Sequence, residues 1–438
     1  MTPTAGYTEM KDSDIGWVGE IPKEWNINVL FQLVSQVKNK NKDLVETNLL
    51  SLSYGKIKRK NIDHTDGLIP ASFDGYNIIE DGDIVLRLTD LQNDQTSLRV
   101  GRATERGIIT SAYTTLRPVN FKTSKFIYYL LHAFDIRKGF YGMGAGVRQG
   151  LNYDEVKVLK LPIPPQEEQT VIVAYLDTQC AKIDEIIAEA KASIEDYKQW
   201  KASIIYESVT KGLDPNVEMK DSGIEWIGEI PAGWALAPFK YVLTERRERN
   251  VPIKSTERLS LSIDLGVTLY SEKTTNLDRF KEDFKQYKIA YKGDLVMNSM
   301  NMIVGASGVS NYFGCVSPAY YTFYDNTQNH VTAKYCEYIF RSKAMLRVLH
   351  NLGKGIYSIE RGDDRVNTCR LKVPKEDLGR IMLPLPSENI QESIVNYLNK
   401  MCAEIDTLVT AKQALIADLE TYKKSLIYEV VTGKRRVC

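Results

Sequence analysis

The chain has 438 residues, of which 43% are hydrophobic and 10% aromatic, so it can bury two substantial cores. A formal net charge of +1 excludes a molecule that attracts polyanions through its overall charge. The N-terminal residues lack an apolar signal core, and no run approaches the roughly 18 apolar residues of a membrane span. We therefore expect a cytoplasmic protein without membrane contact.

The chain begins with a segment that it later repeats. Residues 10–22 return almost unchanged as residues 219–231, both ending in Trp-x-Gly-Glu-Ile-Pro. A second matched pair, Leu161-Pro-Ile-Pro164 and Leu383-Pro-Leu-Pro386, precedes a long helical pattern in each copy. Copies of this length are too long for solenoid repeats. We predict two duplicated domains, each with its own core, related by a pseudo-two-fold axis.

Up to about residue 160, and again up to about residue 382, short β-branched and aromatic runs alternate with Gly, Asn and Asp turns, which predicts several strands. Gly-Asp precedes an apolar run at residues 82–85 and 293–296, as expected for a turn entering a strand. One short helix is predicted in each copy, at Lys125–Phe134 and Lys334–Met345. The segments between these matches differ strongly, which indicates one scaffold presenting two different contact surfaces.

After each Leu-Pro-x-Pro, apolar residues recur at alternating spacings of four and three, as at Ile183, Ile187 and Ile194 in the first copy. This is a heptad pattern. Since each helix has one close counterpart in the chain, we predict that the two pack as an antiparallel coiled coil. A rod of about 28 residues at 1.5 Å rise is about 40 Å long, close to one turn of B-DNA. The helices therefore fit the role of a spacer, although a coiled coil that only holds two domains together is equally compatible with the pattern.

These elements predict an α+β fold in which two globular domains are joined by two long helices. The predicted boundaries are 1–165 for the first domain, 166–211 for the central helix, 212–386 for the second domain and 387–438 for the C-terminal helix.

We find no motif for chemistry within the chain. Its six cysteines never form Cys-x-x-Cys and it has four histidines, so no zinc spacing can be assembled. No Gly-x-x-x-x-Gly-Lys-[Ser/Thr] phosphate loop and no nucleophile elbow is present. Glu9-Met-Lys11 and Glu218-Met-Lys220 resemble half of a nuclease centre but lack a placed upstream aspartate. We predict a non-catalytic chain with no cofactor and no metal of its own.

Candidate nucleic-acid contacts occur at matched places in both copies. They are basic clusters, the residues that follow each Gly-Asp strand, and glycine-rich loops beside cationic side chains. Such side chains suit phosphates and base edges, whereas each cluster taken singly is more often a solvated face or a plain turn. The candidates are Lys56, Lys58, Arg59, Arg87, Thr89, Arg148, Gln149, Asn298, Ser299, Asn301, Lys354, Tyr357, Arg361 and Arg370.

Together these motifs closely resemble the specificity subunit of type I restriction-modification systems. The resemblance rests on the repeated opening segment, on Leu-Pro-[Ile/Leu]-Pro with the helix start Gln166-Glu-Glu-Gln169, and on helices ending Ile-Tyr-Glu-x-Val-Thr. It implies that residues of about 10–160 and 219–382 are target-recognition domains, each for one half of a bipartite, asymmetric DNA sequence. The paired helices would then fix the unread spacer.

The resemblance also implies partners. Two modification subunits would use S-adenosylmethionine to methylate an adenine at N6 in each half-site, and restriction subunits would use ATP and Mg to translocate and cleave. Exposed faces of 166–211 and 388–433 would dock the modification subunits. The second helix starts Ser387-Glu-Asn-Ile-Gln391, where the first has Pro165-Gln-Glu-Glu-Gln169, so the two docking sites are expected to be unequal.

Two alternatives stay open at this point. One is the specificity subunit of an orphan adenine-N6 methyltransferase complex without a nuclease. The other is a coiled-coil adaptor whose domains bind protein. An autonomous nuclease is disfavoured by the motif search.

Overall fold

The computed structural model describes residues 6–60, 72–91, 98–143, 150–273, 283–327, 330–356 and 370–437. The chain divides into two compact units. Unit 1 consists of Met1–Lys191 together with Gln413–Cys438, and unit 2 consists of Ala192–Lys412. The last residues of the chain therefore belong to the same unit as the first.

Within the described residues, the first copy contains twelve strands and three short α-helices before its long helix. They are β1 Met10–Asp12, β2 Glu20–Pro22, β3 Asn26–Val29, α1 Leu30–Leu33, β4 Val34–Gln36, β5 Leu50–Ser53, β6 Lys56–Arg59, β7 Asn77–Ile79, β8 Ile84–Leu86, β9 Val100–Arg102, β10 Gly107–Ile109, β11 Thr114–Pro118, α2 Ser124–Ile136, α3 Tyr153–Val156, β12 Lys160–Ile163 and the long helix α4 Gln166–Lys211.

The second copy follows the same plan. Its elements are β13 Met219–Asp221, β14 Glu229–Pro231, β15 Ala235–Pro238, α5 Phe239–Val242, β16 Thr244–Glu245, β17 Leu259–Ser262, β18 Gly266–Leu269, α6 Tyr270–Lys273, β19 Lys288–Ala290, β20 Leu295–Asn298, β21 Ser307–Val309, β22 Gly314–Val316, β23 Tyr320–Tyr324, α7 Val331–Arg341, α8 Lys343–Leu352, β24 Lys354–Ile356, β25 Arg370–Lys372, α9 Lys375–Arg380, β26 Met382–Leu385 and the long helix α10 Glu388–Val431.

Each unit is built on a four-stranded antiparallel sheet. The strand order is β4-β11-β8-β9 in unit 1 and β16-β23-β20-β21 in unit 2, so equivalent strands occupy equivalent places. The apolar runs after each Gly-Asp form the inner strands β8 and β20, whose residues are buried on both faces. The internal duplication predicted from the repeats is thus present in the strand order.

The aspartate of each Gly-Asp turn is buried and held by an arginine from a neighbouring strand region. In unit 1, Asp83 is 1% exposed, and its carboxylate accepts hydrogen bonds from Nε and Nη2 of Arg117 at 2.8 and 2.7 Å. In unit 2, the Asp294 carboxylate accepts hydrogen bonds from Nε and Nη2 of Arg246 at 2.6 and 2.9 Å. The repeated motif is therefore a charged clamp within each sheet, formed in the two copies by arginines from different strands.

The glutamine shared by both helix starts ties each long helix to the strand before it. Nε2 of Gln169 donates to the carbonyl oxygen of Pro164 at 2.9 Å, and Nε2 of Gln391 donates to that of Pro386 at 2.8 Å. Both glutamines are buried. The motif thus links the first turn of each long helix to the end of the preceding strand.

The long helices contribute one segment each to both units. In unit 1, the early residue Asp184 of α4 accepts Nζ of the late residue Lys423 of α10 at 2.6 Å. In unit 2, the late residue Lys201 of α4 donates to the early residue Asp406 of α10 at 2.7 Å. Within each unit a segment of α4 is therefore bonded to a segment of α10, and the predicted α+β fold class with paired long helices is confirmed.

The seam predicted from the heptads is buried where it meets the domain cores. Ile183 and Ile187 of α4 share the main core of unit 1 with Leu426 and Val430 of α10. α10 is followed by Gly433, which has a φ of 72° and packs on the repeated opening segment, so that an added Cβ would lie 2.3 Å from Cδ of Pro22. The C-terminal turn therefore closes against the first hairpin of the chain.

One predicted helix differs from the structure. The segment Lys334–Met345 was expected to form one short helix, but it holds the end of α7 and the start of α8. The break lies at Ser342, which has extended backbone angles and whose Oγ accepts the backbone N–H of Met345 at 3.3 Å. A serine in this role is a helix N-cap, and it starts a second helix in a new direction.

Candidate nucleic-acid interface

The predicted contact residues of unit 1 leave the sheet at the end of β8. Arg87 and Asp90 are half-buried and Thr89 is exposed, while Leu88 and Leu91 between and after them are buried in the main core of the unit. Asp90 has a φ of 60°. The loop of residues 87–91 is therefore anchored by its leucines, and it turns polar side chains away from the core.

In unit 2 the equivalent strand is longer, and this changes which residues can reach a ligand. β20 includes Asn298, which is buried, and Ser299 after it is also buried. Oδ1 of Asn298 accepts the backbone N–H of Met300 at 3.1 Å and that of Asn301 at 3.4 Å. Of the three residues predicted at this strand end, Asn301 alone is exposed. Asn298 shapes the loop, and base contact by any of the three remains a prediction.

Residues that follow each glycine-rich segment bond these strand-end loops. Arg148 and Gln149 lie outside the described residues, but directly after them the backbone N–H of Leu151 donates to the carbonyl of Leu88 at 2.8 Å. In unit 2 the corresponding bond runs from Val373 to the carbonyl of Ser299 at 2.9 Å. Two regions that are distant in sequence are therefore brought together in the same way in both units.

Gly353-Lys-Gly355 was predicted as a loop, but Lys354–Ile356 forms strand β24. β24 and β25 are antiparallel, with Lys354 opposite Lys372 and the backbone of Arg370 opposite that of Ile356. Tyr357 and Arg361 lie in the segment between these strands, outside the residues that the structure describes. Nζ of Lys354 donates to Asp377 at 2.7 Å, so its charge is partly balanced within the unit.

The first basic cluster lies on a hairpin. Lys56, Lys58 and Arg59 are exposed on β6, which pairs with β5 and packs beside β9. Nε of Arg59 donates to the Glu105 carboxylate at 2.8 Å. The two lysines are therefore the better phosphate candidates of the three.

The basic side chains of unit 2 at residues 246–258 are largely paired with acidic neighbours. Arg246 clamps Asp294, Arg247 bonds Glu245 and Lys254 bonds Glu248. Because hydrogen bonding to Asp294 favours its charged form, the pKa of Arg246 is raised. These basic side chains therefore mainly stabilise the fold of unit 2, and the residue types alone do not reveal this.

Sequence reasoning missed Arg99, a fully buried arginine beneath the loop of residues 87–91. Its Nη1 donates to the carbonyl oxygens of Arg87 at 3.1 Å and Thr89 at 2.8 Å, and its Nη2 to that of Asp90 at 3.2 Å. The local sequence Leu98-Arg99-Val100-Gly101-Arg102 gives no signal for such a role, because the acceptors are main-chain atoms.

The segments resembling half of a nuclease centre have structural partners. Glu9 forms an ion pair with Lys23 at 2.8 Å, and Nζ of Lys220 donates to the carbonyl oxygens of Ala232 and Trp234 at 2.7 and 2.8 Å. Among the described residues, no group of three or more His, Cys, Asp or Glu side chains is placed to hold a metal ion. Within the same part of the chain, no helix combines the length and apolarity required to cross a bilayer.

Comparison with known proteins gives the class to which these features correspond. The model of a family described as the type I restriction modification DNA specificity domain matches residues 100–196. This segment runs from β9 through α2 into α4, and it includes Leu151, which bonds the strand-end loop.

Individual relatives extend the likeness over most of the chain. A protein of Methanocaldococcus jannaschii named as the specificity subunit of the type I restriction enzyme MjaX is 23% identical over 449 aligned residues, covering 96% of each chain. The HsdS subunit from Thermoanaerobacter tengcongensis aligns over 94% of this chain and 98% of its own, with a TM-score of 0.50 and 15% identity. A chain from a structure of complex assembly and conformational transition of the type I R-M system covers the same fractions, with a TM-score of 0.65 and 15% identity. The predicted resemblance to type I specificity subunits is confirmed.

Proposed function

We propose that the chain is the DNA sequence-specificity subunit of a type I restriction-modification enzyme. The observation that carries the proposal is the equivalent sheet in both units with unlike loops at the same strand end. In unit 1 the loop presents Arg87 and Thr89 over a buried arginine, and in unit 2 the equivalent loop presents Asn301. One scaffold with two different polar surfaces suits a target with two different halves.

On this proposal the chain binds and does not catalyse. Arginine, asparagine and glutamine side chains contact base edges, while lysines such as Lys56 and Lys58 hold backbone phosphates. The chemistry belongs to partners: two modification subunits that use S-adenosylmethionine, and restriction subunits that use ATP and Mg. The adenine to be methylated would be flipped into a modification subunit. A cytoplasmic location follows from this role.

The decisive experiment is to map N6-methyladenine across the genome of the source strain, with and without the gene for this chain. We expect a bipartite, asymmetric motif with one modified adenine in each half, lost when the gene is deleted. A contiguous palindrome, or a methylation pattern unchanged by the deletion, would overturn the proposal.

The two alternatives are not favoured by the comparisons, and each is open to a direct test. If the chain is an adaptor that binds protein, its complex with the modification subunit will show no salt-sensitive preference for any duplex. If it belongs to an orphan methyltransferase, the mapped motif will be present but unmodified DNA carrying it will enter the strain without restriction.

A further inference from the structure

Arg99 is an unusual residue for the interior of a domain. It is 0% exposed, and burying a guanidinium group is costly unless all its donors are satisfied. Here Nε donates to the Tyr141 hydroxyl at 2.9 Å, and the guanidinium lies over the Tyr141 ring at 5.1 Å from its centroid. Its Nη1 and Nη2 atoms donate to main-chain carbonyls of the strand-end loop. The residue is thus satisfied mainly by the backbone of that loop.

The bonds specify one conformation of the loop. The carbonyls of Arg87, Thr89 and Asp90 all point inward to one planar cation, although the loop has only two apolar anchors. With these carbonyls turned in, the Thr89 side chain stays exposed and Arg87 stays half-buried at the surface. A planar group with several fixed donors suits this arrangement better than a lysine ammonium, which concentrates its donors on one atom.

The backbone of Arg99 is held by a buried carboxylate from α2. Oδ2 of Asp135 accepts the backbone N–H of Arg99 at 2.6 Å, and Asp135 is 1% exposed. Burial raises the pKa of Asp135 to about 6. The α2 residue thereby fixes the backbone from which the guanidinium reaches the loop.

In unit 2 the equivalent strand-end loop is held by different interactions. The backbone N–H of Arg87 donates to the carbonyl of Arg99 at 2.9 Å, and the same ladder position in unit 2 joins Asn298 to Ala306 at 3.0 Å. The alanine side chain has no donor to offer, and the loop there is held by the Asn298 side-chain oxygen, which accepts two backbone N–H groups. The two units therefore hold equivalent loops by independent means.

We propose that Arg99 is a positioning residue for base recognition by unit 1, acting by fixing the backbone of residues 87–90. The inference rests on the proposed function and adds to it a residue that sets the specificity of one half-site only. Arg99 itself touches no DNA; its effect reaches the bases through the side chains of Arg87 and Thr89.

The test uses the full chain assembled with its modification subunits. Methylation is measured on duplex libraries that carry the mapped motif with one half randomised at a time. Arg99→Lys keeps the positive charge but loses the several fixed donors of the guanidinium. Arg99→Met leaves the buried carbonyls without donors and can unfold the unit. Arg99→Lys is therefore the variant that decides the test. The matched control is Arg102→Lys, because Arg102 is also a largely buried arginine at β9 but bonds Ser124, Ala103 and Asp81 instead of the loop.

We expect Arg99→Lys to relax base preference roughly tenfold at one or more positions of one half-site, the size of a lost base contact. The other half and the Arg102→Lys variant should keep the wild-type preferences. Unchanged preferences in both halves, equal relaxation in both halves, or the same relaxation in Arg102→Lys would each overturn the inference. Wild-type complex without any sequence preference would instead refute the proposed function, and the inference with it.

Discussion

Replacing Arg117 with methionine should destabilise unit 1 and leave unit 2 unchanged. The substitution leaves the Asp83 carboxylate without its positively charged partner. Asp83 is 1% exposed and also accepts a hydrogen bond from the backbone N–H of Glu80 at 2.8 Å. Removing one partner of a buried ion pair costs about 3–5 kcal/mol. Since the Arg117 side chain is 43% exposed, solvent already weakens this pair, and we expect a loss of about 2–3 kcal/mol.

The equivalent substitution Arg246→Met supplies an internal comparison. Arg246 is only 21% exposed, and its guanidinium also lies 4.4 Å from the Tyr291 ring centroid and 4.5 Å from that of Tyr324. It should therefore cost more, about 3–4 kcal/mol, with the loss confined to unit 2. The ranking follows from the exposure of the two arginines.

Hydrogen exchange followed by mass spectrometry is the appropriate assay, because it reports local stability where a single melting temperature for two units would not. Peptides covering β8 and β11 should lose protection in Arg117→Met, and peptides covering β20 and β23 in Arg246→Met. Adding Asp83→Asn to Arg117→Met removes the stranded charge and should recover at least half of the loss. No recovery, or equal loss of protection in both units, would refute the reasoning.

Two further predictions concern unit 1. Burial, with Lys423 and Lys424 nearby, lowers the pKa of His132 to about 4, so its stabilising contribution is complete above pH 6.5 and is lost as the pH falls toward 4. His132→Phe should reduce the loss of unfolding free energy between pH 7 and pH 5 by about 2 kcal/mol, measured by hydrogen exchange of unit 1 peptides. An identical loss in both proteins would contradict this. Gly433→Ala should cost about 2–4 kcal/mol through strain and overlap with Pro22, whereas Gly19→Ala, with a φ of 73° and its nearest neighbour at 3.8 Å, should cost about 1–2 kcal/mol. Equal protection of unit 1 peptides in the two glycine variants would show that the overlap is relieved.

The features that the sequence predicted well are those with a period or an exact repeat. The heptad residues Ile183 and Ile187 are buried as expected, because helical spacing alone determines which face they share. The duplicated sheet follows from matched turns such as Gly82-Asp83, although the motif did not disclose that the aspartate is clamped by an arginine. Repetition identifies equivalent positions without giving their partners.

The candidate site was less predictable because it depends on where strands end and on main-chain acceptors. β8 ends at Leu86, so Arg87 lies outside the strand, whereas β20 continues through Asn298 and buries it. A difference of one residue in strand length thus decides which side chain is presented. Arg99 was missed for a related reason, since its carbonyl partners leave no trace in residue identity.

Unit 1 combines two segments that lie far apart in the sequence, and this has a consequence for biogenesis. Its main core includes Leu426, Ile427, Val430 and Val431, so the ribosome must translate past Val431 before that core can close. Unit 2 is one continuous stretch, Ala192–Lys412, and its residues have all been translated earlier. Unit 1 is therefore completed after unit 2, although its first segment is translated before it, and until then its apolar surface must be shielded by chaperones or by transient contacts.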